Sequence, residues 1–396
     1  MVLARQIFSV TAVNVRSIPL RPGNSLVIVI GIAGVVAVLI SILAMFQGSR
    51  ATIQGDGRVD RAIALTRGAT TEYESSLSRV TVADLMNAPG VRHDDRDEPL
   101  VSAEVILIAP VARKRDRSDV NVTLRGVGTQ YFRVRPELKL IDGRMFRTGT
   151  QELLVGAAAS RQFAGLEIGN QVRLQSGDWT VVGTFAGGNG SRESEVVADA
   201  LAVMSTYKLD AFNSMTLALE SPGAVARVQE SVARDPTVLV EVRAEPEYLA
   251  ATSGRASRML RLVAYAIGSI MALGAVFAAL NSMHSAVTSR TVEIATLRAI
   301  GFAASAVAIS ILIEALLLAL VGAAVGVAIA YGAFNGTTIS TLGGAVWDSQ
   351  LVYSLTVTWS IIVSAVVLAC VLGLLGCIPP AIHAARLNLA TALHET

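Results

Sequence analysis

The sequence predicts a membrane protein: four transmembrane α-helices, with a large α+β extracytoplasmic domain inserted between the first and the second. Three observations carry that prediction. Apolar residues make up 52% of the 396-residue chain, and mean hydropathy is positive, beyond what a soluble globular protein normally carries. Charge is segregated. Residues 50–261 hold 27 acidic and 27 basic side chains, while the rest of the chain holds six arginines and four acids, Glu293, Glu314, Asp348 and Glu395. Four stretches are long and apolar enough for a hydrocarbon core, which takes about 20 residues of helix. The net charge of +2 argues against a nucleic-acid partner, which favours a strongly basic surface.

In order, residues 1–25 form a cytoplasmic N-terminal segment with Arg5, Arg16 and Arg21 and no acid. The first span, residues 26–47, opens on the uncharged run LVIVIGIAGVVAVLISILAMF. That run exceeds a signal-peptide core and a leader precedes it, so it reads as a retained anchor. Residues 48–256 are the extracytoplasmic domain. The second span with its outer extension covers 257–288, around LVAYAIGSIMALGAVFAALNSM. Arg255, Arg258 and Arg261, three apart, predict a helix running out of the membrane at its outer end. A cytoplasmic connection follows at 289–303, then the third span at 304–334. Residues 335–352 read as a polar extracytoplasmic loop through NGTTISTLGG. The fourth span, 353–378, ends at Pro379-Pro380 and leads to a cytoplasmic tail, 379–396. Arginines in the leader, the 289–303 connection and the tail, against none in 335–352, put both termini inside.

The extracytoplasmic domain is long enough to bury a core of its own. EPLVSAEVILIAPV and VNVTLRGVG carry β-branched runs of strand length. SLSRVTVADLMNAPGV places a Thr ahead of an amphipathic helix with a Pro-Gly stop. LEIGNQVRLQSGDWTVVGTFAGG reads as turn, strand, turn, strand and a glycine-rich exit. EPEYLAATSGRASRML predicts a helix leading to the membrane. The result is a mixed α+β domain, in one lobe or two.

Catalytic patterns are missing. There is no G-x-x-x-x-G-K-[ST], and the lysines, Lys114, Lys139 and Lys208, lie outside any glycine loop. H-E-x-x-H and G-x-S-x-G are absent too, and His93, His284, His383 and His394 lack metal-ligand spacing. No catalytic residue, metal site or cofactor is therefore expected in this chain. In VRHDDRDEPL, Asp94, Asp95, Asp97 and Glu98 beside His93 would suit a cation. Arg92 and Arg96 balance those acids, and a solvated loop is the expectation. His284 reads as an interfacial polar residue rather than a proton relay. Cys370 and Cys377, seven apart in an apolar run, read as small buried packing residues.

Two features in the apolar part call for a role. Glu314 is a carboxylate inside the third span, which is costly and marks function. A structural or coupling role, through a polar group on a neighbouring helix, is expected ahead of ion transport. SRTVEIATLRAIGF, residues 289–302, sets Arg290, Glu293 and Arg298 between two spans. On a helical wheel Arg290, Glu293, Ile294, Leu297, Arg298 and Ile300 share one half, with Val292, Ala295, Thr296 and Ala299 on the other. The first arc is predicted to face a protein partner and the second the membrane helices. Gly301 then permits a sharp exit into the third span. The steps Gly31/Gly34 and Gly322/Gly326 permit close helix packing.

The stretch SRTVEIATLRAIGFAASAVAISILIEALLLALVGAAVGVAIAYG resembles the FtsX-like, MacB-type ABC transporter permease subunits, the type VII or mechanotransmission family. The pattern is carried by Arg290, Glu293, Ile294, Leu297, Arg298, Ala299, Ile300, Gly301, Glu314, Gly322 and Gly326. LKLIDGRMFRTGTQELLVGAAASRQFAGLEIGNQVRL and WTVVGTFAGG are similar to that family's extracytoplasmic core domain. PPAIHAARLNLATALHE is similar to its ending, with Leu389 in place of a common proline. The resemblance implies that residues 289–303 form a coupling helix docking on a separate cytoplasmic ABC ATPase, which holds the ATP and Mg. It also implies a second permease copy, a bacterial inner-membrane location and a periplasmic adaptor. The expected function is to couple ATP hydrolysis by the partner to movement of the extracytoplasmic domain, for export of a hydrophobic or peptidic cargo. The alternative is a signalling complex that switches an extracytoplasmic partner, such as a cell-wall hydrolase, without transport.

Overall fold

The computed structural model describes residues 2–17, 22–174, 177–187, 190–234, 239–342 and 350–386. In chain order the elements are α1 (Val2–Ser17), α2 (Pro22–Gly55), β1 (Arg61–Thr66), α3 (Arg79–Met86), β2 (Val101–Ala112) and β3 (Asp119–Val127). Then come α4 (Tyr131–Val134), β4 (Lys139–Gly143), β5 (Glu152–Gly156), α5 (Ala157–Gln162), β6 (Gln171–Leu174) and β7 (Gly177–Ala186). β8 (Val196–Asp199), α6 (Ala200–Tyr207), β9 (Ser214–Ala218), α7 (Ala224–Ala233) and β10 (Val240–Ala244) follow. The chain closes with α8 (Glu245–Thr288), α9 (Thr291–Ala299), α10 (Ala304–Phe334), β11 (Thr338–Leu342), β12 (Gln350–Ser354) and α11 (Trp359–Ala385). Arg21, Asp348, Leu389 and His394 lie outside the described residues, as do the side chains of Arg255, Arg258 and Arg261. Among the described residues, four helices are long and apolar enough to cross a membrane: Ser25–Gly55, Tyr265–Thr288, Ala304–Phe334 and Trp359–Ala385. The chain divides into two units, with boundaries inside α2 and α8.

The helical unit comprises Met1–Gln47, Leu260–Thr337 and Leu355–Thr396. On α2, Ile28, Ile32, Val36, Ile40 and Ala44 repeat every fourth position and so form one stripe. They are buried in a cluster with Ala315, Ala319 and Ala323 of α10 and Ala365 and Ala369 of α11. Small residues let the backbones approach closely. A Cβ on Gly322 would stand 2.9 Å from the Val29 carbonyl oxygen, and one on Gly326 2.6 Å from that of Ala33. Gly373 and Gly376 do the same for α11, against Ala319 and Ala279, at 2.7 Å each. Gly31 and Gly34 make no such approach within this chain. Nothing lies within 4 Å of a Cβ at either, because the contact face of α2 is the Ile32–Ala33–Val36 side. The fourth helix is a correction to the expected bounds. α11 starts at Trp359 and runs through Pro379 and Pro380 to Ala385; losing two N–H donors weakens a membrane helix without ending it.

The outer unit comprises Gly48–Met259 and Thr338–Ser354. Its sheet runs β10-β1-β9-β2-β3-β8-β5-β7-β4, with β6 also on β7. Pairing is antiparallel except β3–β8 and β5–β7. One cluster, with Leu85, Met215, Leu217, Val228 and Val242, packs around β9 and β10 with α3 and α7. A second, with Leu124, Leu153, Phe163, Trp179 and Val203, packs around β3, β5 and β7 with α5 and α6. A third, with Tyr131, Leu154, Val182, Phe185 and Val197, packs around β5, β7 and β8 with α4, so the continuous sheet carries several cores. The cap of α3 is Ser78, whose side chain accepts from the Thr81 N–H at 3.1 Å; Thr81 lies inside the helix and is not its cap. Residues 335–352 correct the loop expectation. β11 and β12 pair as an antiparallel ribbon, Val352 joins the second core, and its N–H donates to Ser194 Oγ at 2.9 Å. The outer unit is therefore assembled from two separate parts of the chain.

Candidate functional site

α8 ends at Thr288 and α9 begins at Thr291, so Ser289 and Arg290 form the corner. At the far end Gly301 has φ +105°. There the Phe302 N–H donates to the Leu297 carbonyl and the Gly301 N–H to the Arg298 carbonyl, both at 3.1 Å. This double closure requires a left-handed residue, which glycine supplies without a Cβ clash. α9 is thus a short helix with two sharply set ends.

Arg290 turns its side chain inward. Its Nη1 donates to Glu314 Oε2 at 3.4 Å and to Asn14 Oδ1 at 3.3 Å. Asn14 Nδ2 in turn donates to Ser310 Oγ at 2.8 Å. Arg290, Ser310 and Glu314 are all buried. A charge pair taken from water persists only where neighbouring polar groups complete its hydrogen bonding, and α1 supplies that here. A second contact fastens α1 to the turn after α9. Gln6 Nε2 donates to the Gly301 carbonyl at 3.4 Å, and Gln6 Oε1 accepts from the Ala303 N–H at 3.3 Å. Beside the pair is a cavity of about 240 Å³, lined by Val10, Met283, Leu297 and Ile311 besides the polar groups.

The roll of α9 corrects the predicted faces. Ile294 and Ala295 are buried, Leu297 and Arg298 half-buried, and Val292, Glu293, Thr296, Ala299 and Ile300 exposed. The outward arc is therefore Val292, Glu293, Thr296, Ala299 and Ile300; only Glu293 and Ile300 belong to the arc predicted to face a partner. The physical reason is that Arg290 is drawn to Glu314, while Ile294 packs with Val287, Val307 and Ile311. Asn14, Gln6 and Ser310 were missed by sequence reasoning. The signal was the repeat Ile7, Val10, Asn14, one face of a helix, in a leader read only for its arginines.

Among the described residues no group of His, Cys, Asp or Glu is placed to hold a metal ion. His284 and His383 meet edge to face with ring centroids 5.5 Å apart. In VRHDDRDEPL, the Asp94 carboxylate accepts from the Arg96 and Glu98 N–H groups at 2.8 and 2.9 Å and pairs with Arg133 at 2.6 Å. It organises a turn. Cys377 is buried and Cys370 half-buried, both as free thiols.

The outer unit has a charge cluster of its own. Arg125 donates to Glu195 at 2.6 Å, Glu104 at 2.7 Å and Glu72 at 3.0 Å, and all four groups are buried. Burial alone would raise the Glu72 carboxyl, but Arg125 and Arg192 outweigh it and hold it down at about 2. Arg61 and Arg135 share Glu245, each at 2.6 Å. The Arg125 cluster ties β3 to β2, and the Glu245 pairs tie β1 to the start of α8 and to the segment after α4.

Comparison with known proteins places both units. A family profile described as MacB-like periplasmic core domain matches residues 25–235, and one described as FtsX-like permease C-terminal matches residues 265–389. Among solved structures, the periplasmic region of MacB from Actinobacillus actinomycetemcomitans is 15% identical, with TM-score 0.38, over 49% of this chain and 92% of that one. The extracellular domain of the noncanonic ABC-type transporter YknZ from Gram-positive bacteria is 15% identical, with TM-score 0.34, over 46% of this chain and 99% of that one. A domain of a putative permease protein from Porphyromonas gingivalis is 14% identical, with TM-score 0.31, over 48% and 90%. Nothing among the curated proteins matches. The first profile spans more than half of the sequence and the second encloses the whole corner, α9 and α10, so the chain belongs to the FtsX/MacB-type ABC permeases, with a MacB-like periplasmic core domain and an FtsX-like permease region.

Proposed function

We propose that this chain is the permease subunit of an ABC transporter in which a separate ATPase docks on the outward arc of α9 and drives movement of the outer unit. The work done is export of a hydrophobic or peptidic cargo with a periplasmic adaptor. Membership of the family implies the ABC ATPase partner. The observation that carries the docking site is the anchored roll of α9. Arg290 and Ile294 hold one side in the helical unit, and Glu293 and Ile300 stand outward on the other. A helix held that way passes on a push rather than turning about its own axis. Its exposed arc mixes charge with large apolar groups, as protein contact surfaces do.

Glu314 faces Arg290, which supports a coupling role over a hydrophilic path through the third span. Cargo is then handled outside the hydrocarbon. The same reading takes in a second permease copy, ATP and Mg on the partner, an inner-membrane location and cytoplasmic termini. The test is co-purification. Glu293→Lys combined with Ile300→Glu, both on the outward arc, is expected to abolish recovery of the soluble ATPase while membrane insertion persists. Undiminished ATPase recovery would remove α9 as the docking element.

A further inference from the structure

α1 has a second face, of which only Val13 also borders the cavity of the coupling site. Ile7, Val10 and Asn14 turn toward α10, whereas Arg5, Phe8, Ser9, Val13 and Arg16 are exposed. Arg5 and Arg16 are eleven positions apart, so they fall about 20° from one line along the helix and roughly 16 Å from each other. Phe8 (77% exposed) and Val13 (62%) stand on either shoulder of that line. Protein contacts favour the opposite order, apolar at the centre and charged at the rim. A row of cations with apolar groups beside it suits a phosphate surface above hydrocarbon.

Two further observations select the occupant. The chain has no acid before Asp56, so α1 and α2 themselves carry no group that opposes an anion; Glu293 of α9 shares the cavity lining with Val13, away from Arg5 and Phe8 in the sequence of α1. α1 also lies close in sequence to a membrane-length helix, since α2 begins at Pro22 and its Leu26, Val27 and Ile30 are exposed apolar groups. We propose that the outward face of α1 is a binding surface for anionic phospholipid headgroups, with Arg5 and Arg16 on the phosphates and Phe8 and Val13 at the acyl boundary. Through Gln6 on the Gly301 turn and Asn14 on Arg290, that lipid steadies the corner from which α9 starts.

The test uses the full chain in nanodiscs. Phe8→Trp is compared with the parent for quenching by brominated phosphatidylglycerol and by brominated phosphatidylcholine. Two arginines at a charged surface predict an enrichment of the anionic lipid of about thirtyfold, abolished by adding Arg5→Gln and Arg16→Gln. Equal quenching by the two lipids overturns the proposal, as does no quenching by either with a spectral shift only on adding the ATPase subunit. Native mass spectrometry avoids the tryptophan. The parent is expected to retain phosphatidylglycerol that the Arg5→Gln/Arg16→Gln chain loses, and equal retention overturns the proposal. Neither readout needs a bound ATPase, so failure here leaves the docking of α9 standing.

Discussion

Arg125 in the outer unit has three carboxylates within 2.6 to 3.0 Å, whereas Arg290 in the helical unit has Glu314 at 3.4 Å and an asparagine oxygen at 3.3 Å. Both guanidinium groups are buried. The outer arginine is saturated, and its acids are held in turn by Ser214 and Thr216 hydroxyls at 2.8 and 2.9 Å. The helical one has an uncharged amide on a separate helix among its partners and borders a cavity. A saturated cluster in close-packed surroundings has one arrangement. A pair that borders a cavity has room for a second. The contrast is between a charge cluster enclosed in close-packed surroundings and one that borders a cavity.

That contrast is open to attack. The largest effect belongs to Arg125→Met, which leaves Glu72, Glu104 and Glu195 buried without their cation and is expected to cost about 3–5 kcal/mol. Thermal unfolding of the full chain, followed by fluorescence of the buried Trp179, reads it. An unchanged midpoint would mean that the outer cluster is not holding the sheet.

Acid comes next. Glu72 is held near 2 in the folded chain, against 4.5 ordinarily. Its contribution is whole above the ordinary value and drains away as pH falls toward 2, because protonation discards the Arg125 contact. The Trp179 signal should show progressive loss of stability across that window, and Glu72→Gln should flatten it; a parent profile already flat there contradicts the assignment.

The smallest change in stability is expected for Glu314→Gln. The amide still offers Arg290 an oxygen and Asn14 remains, so the loss is about 1–2 kcal/mol with the helical unit intact. Its mark is functional: altered stimulation of the partner ATPase. Wild-type stimulation would take Glu314 out of the mechanism, and a loss of folding as large as that of Arg125→Met would erase the distinction between the two clusters.

Much of this was readable before any coordinates. The apolar runs at 26–47 and 304–334 correspond to α2 and α10, because hydrocarbon burial leaves a local mark on composition. The existence of α9 and the sharp turn at Gly301 were also visible, since charge pattern and glycine position are local. The roll of α9 was not. A wheel supplies the arcs of a helix but not which one turns inward, and that was set by Glu314 and Asn14 on other elements. The same holds for the glycines. Gly31/Gly34 and Gly322/Gly326 look alike in sequence, yet only the second pair meets a neighbouring backbone.

Local chemistry alone thus determined where this chain leaves water, how its charge is partitioned, and that a charged helix stands between the second and third spans. Tertiary structure alone decided that Thr338–Ser354 completes the outer sheet's second core, that α1 clasps the corner, and that Arg290 points inward. The reason is distance along the chain. Hydropathy and turn preference act over a few residues, while Asn14 meets Arg290 across 276 positions and Ser194 meets Val352 across 158. Contacts of that span are chosen by packing, and packing exists only once the rest of the molecule is in place.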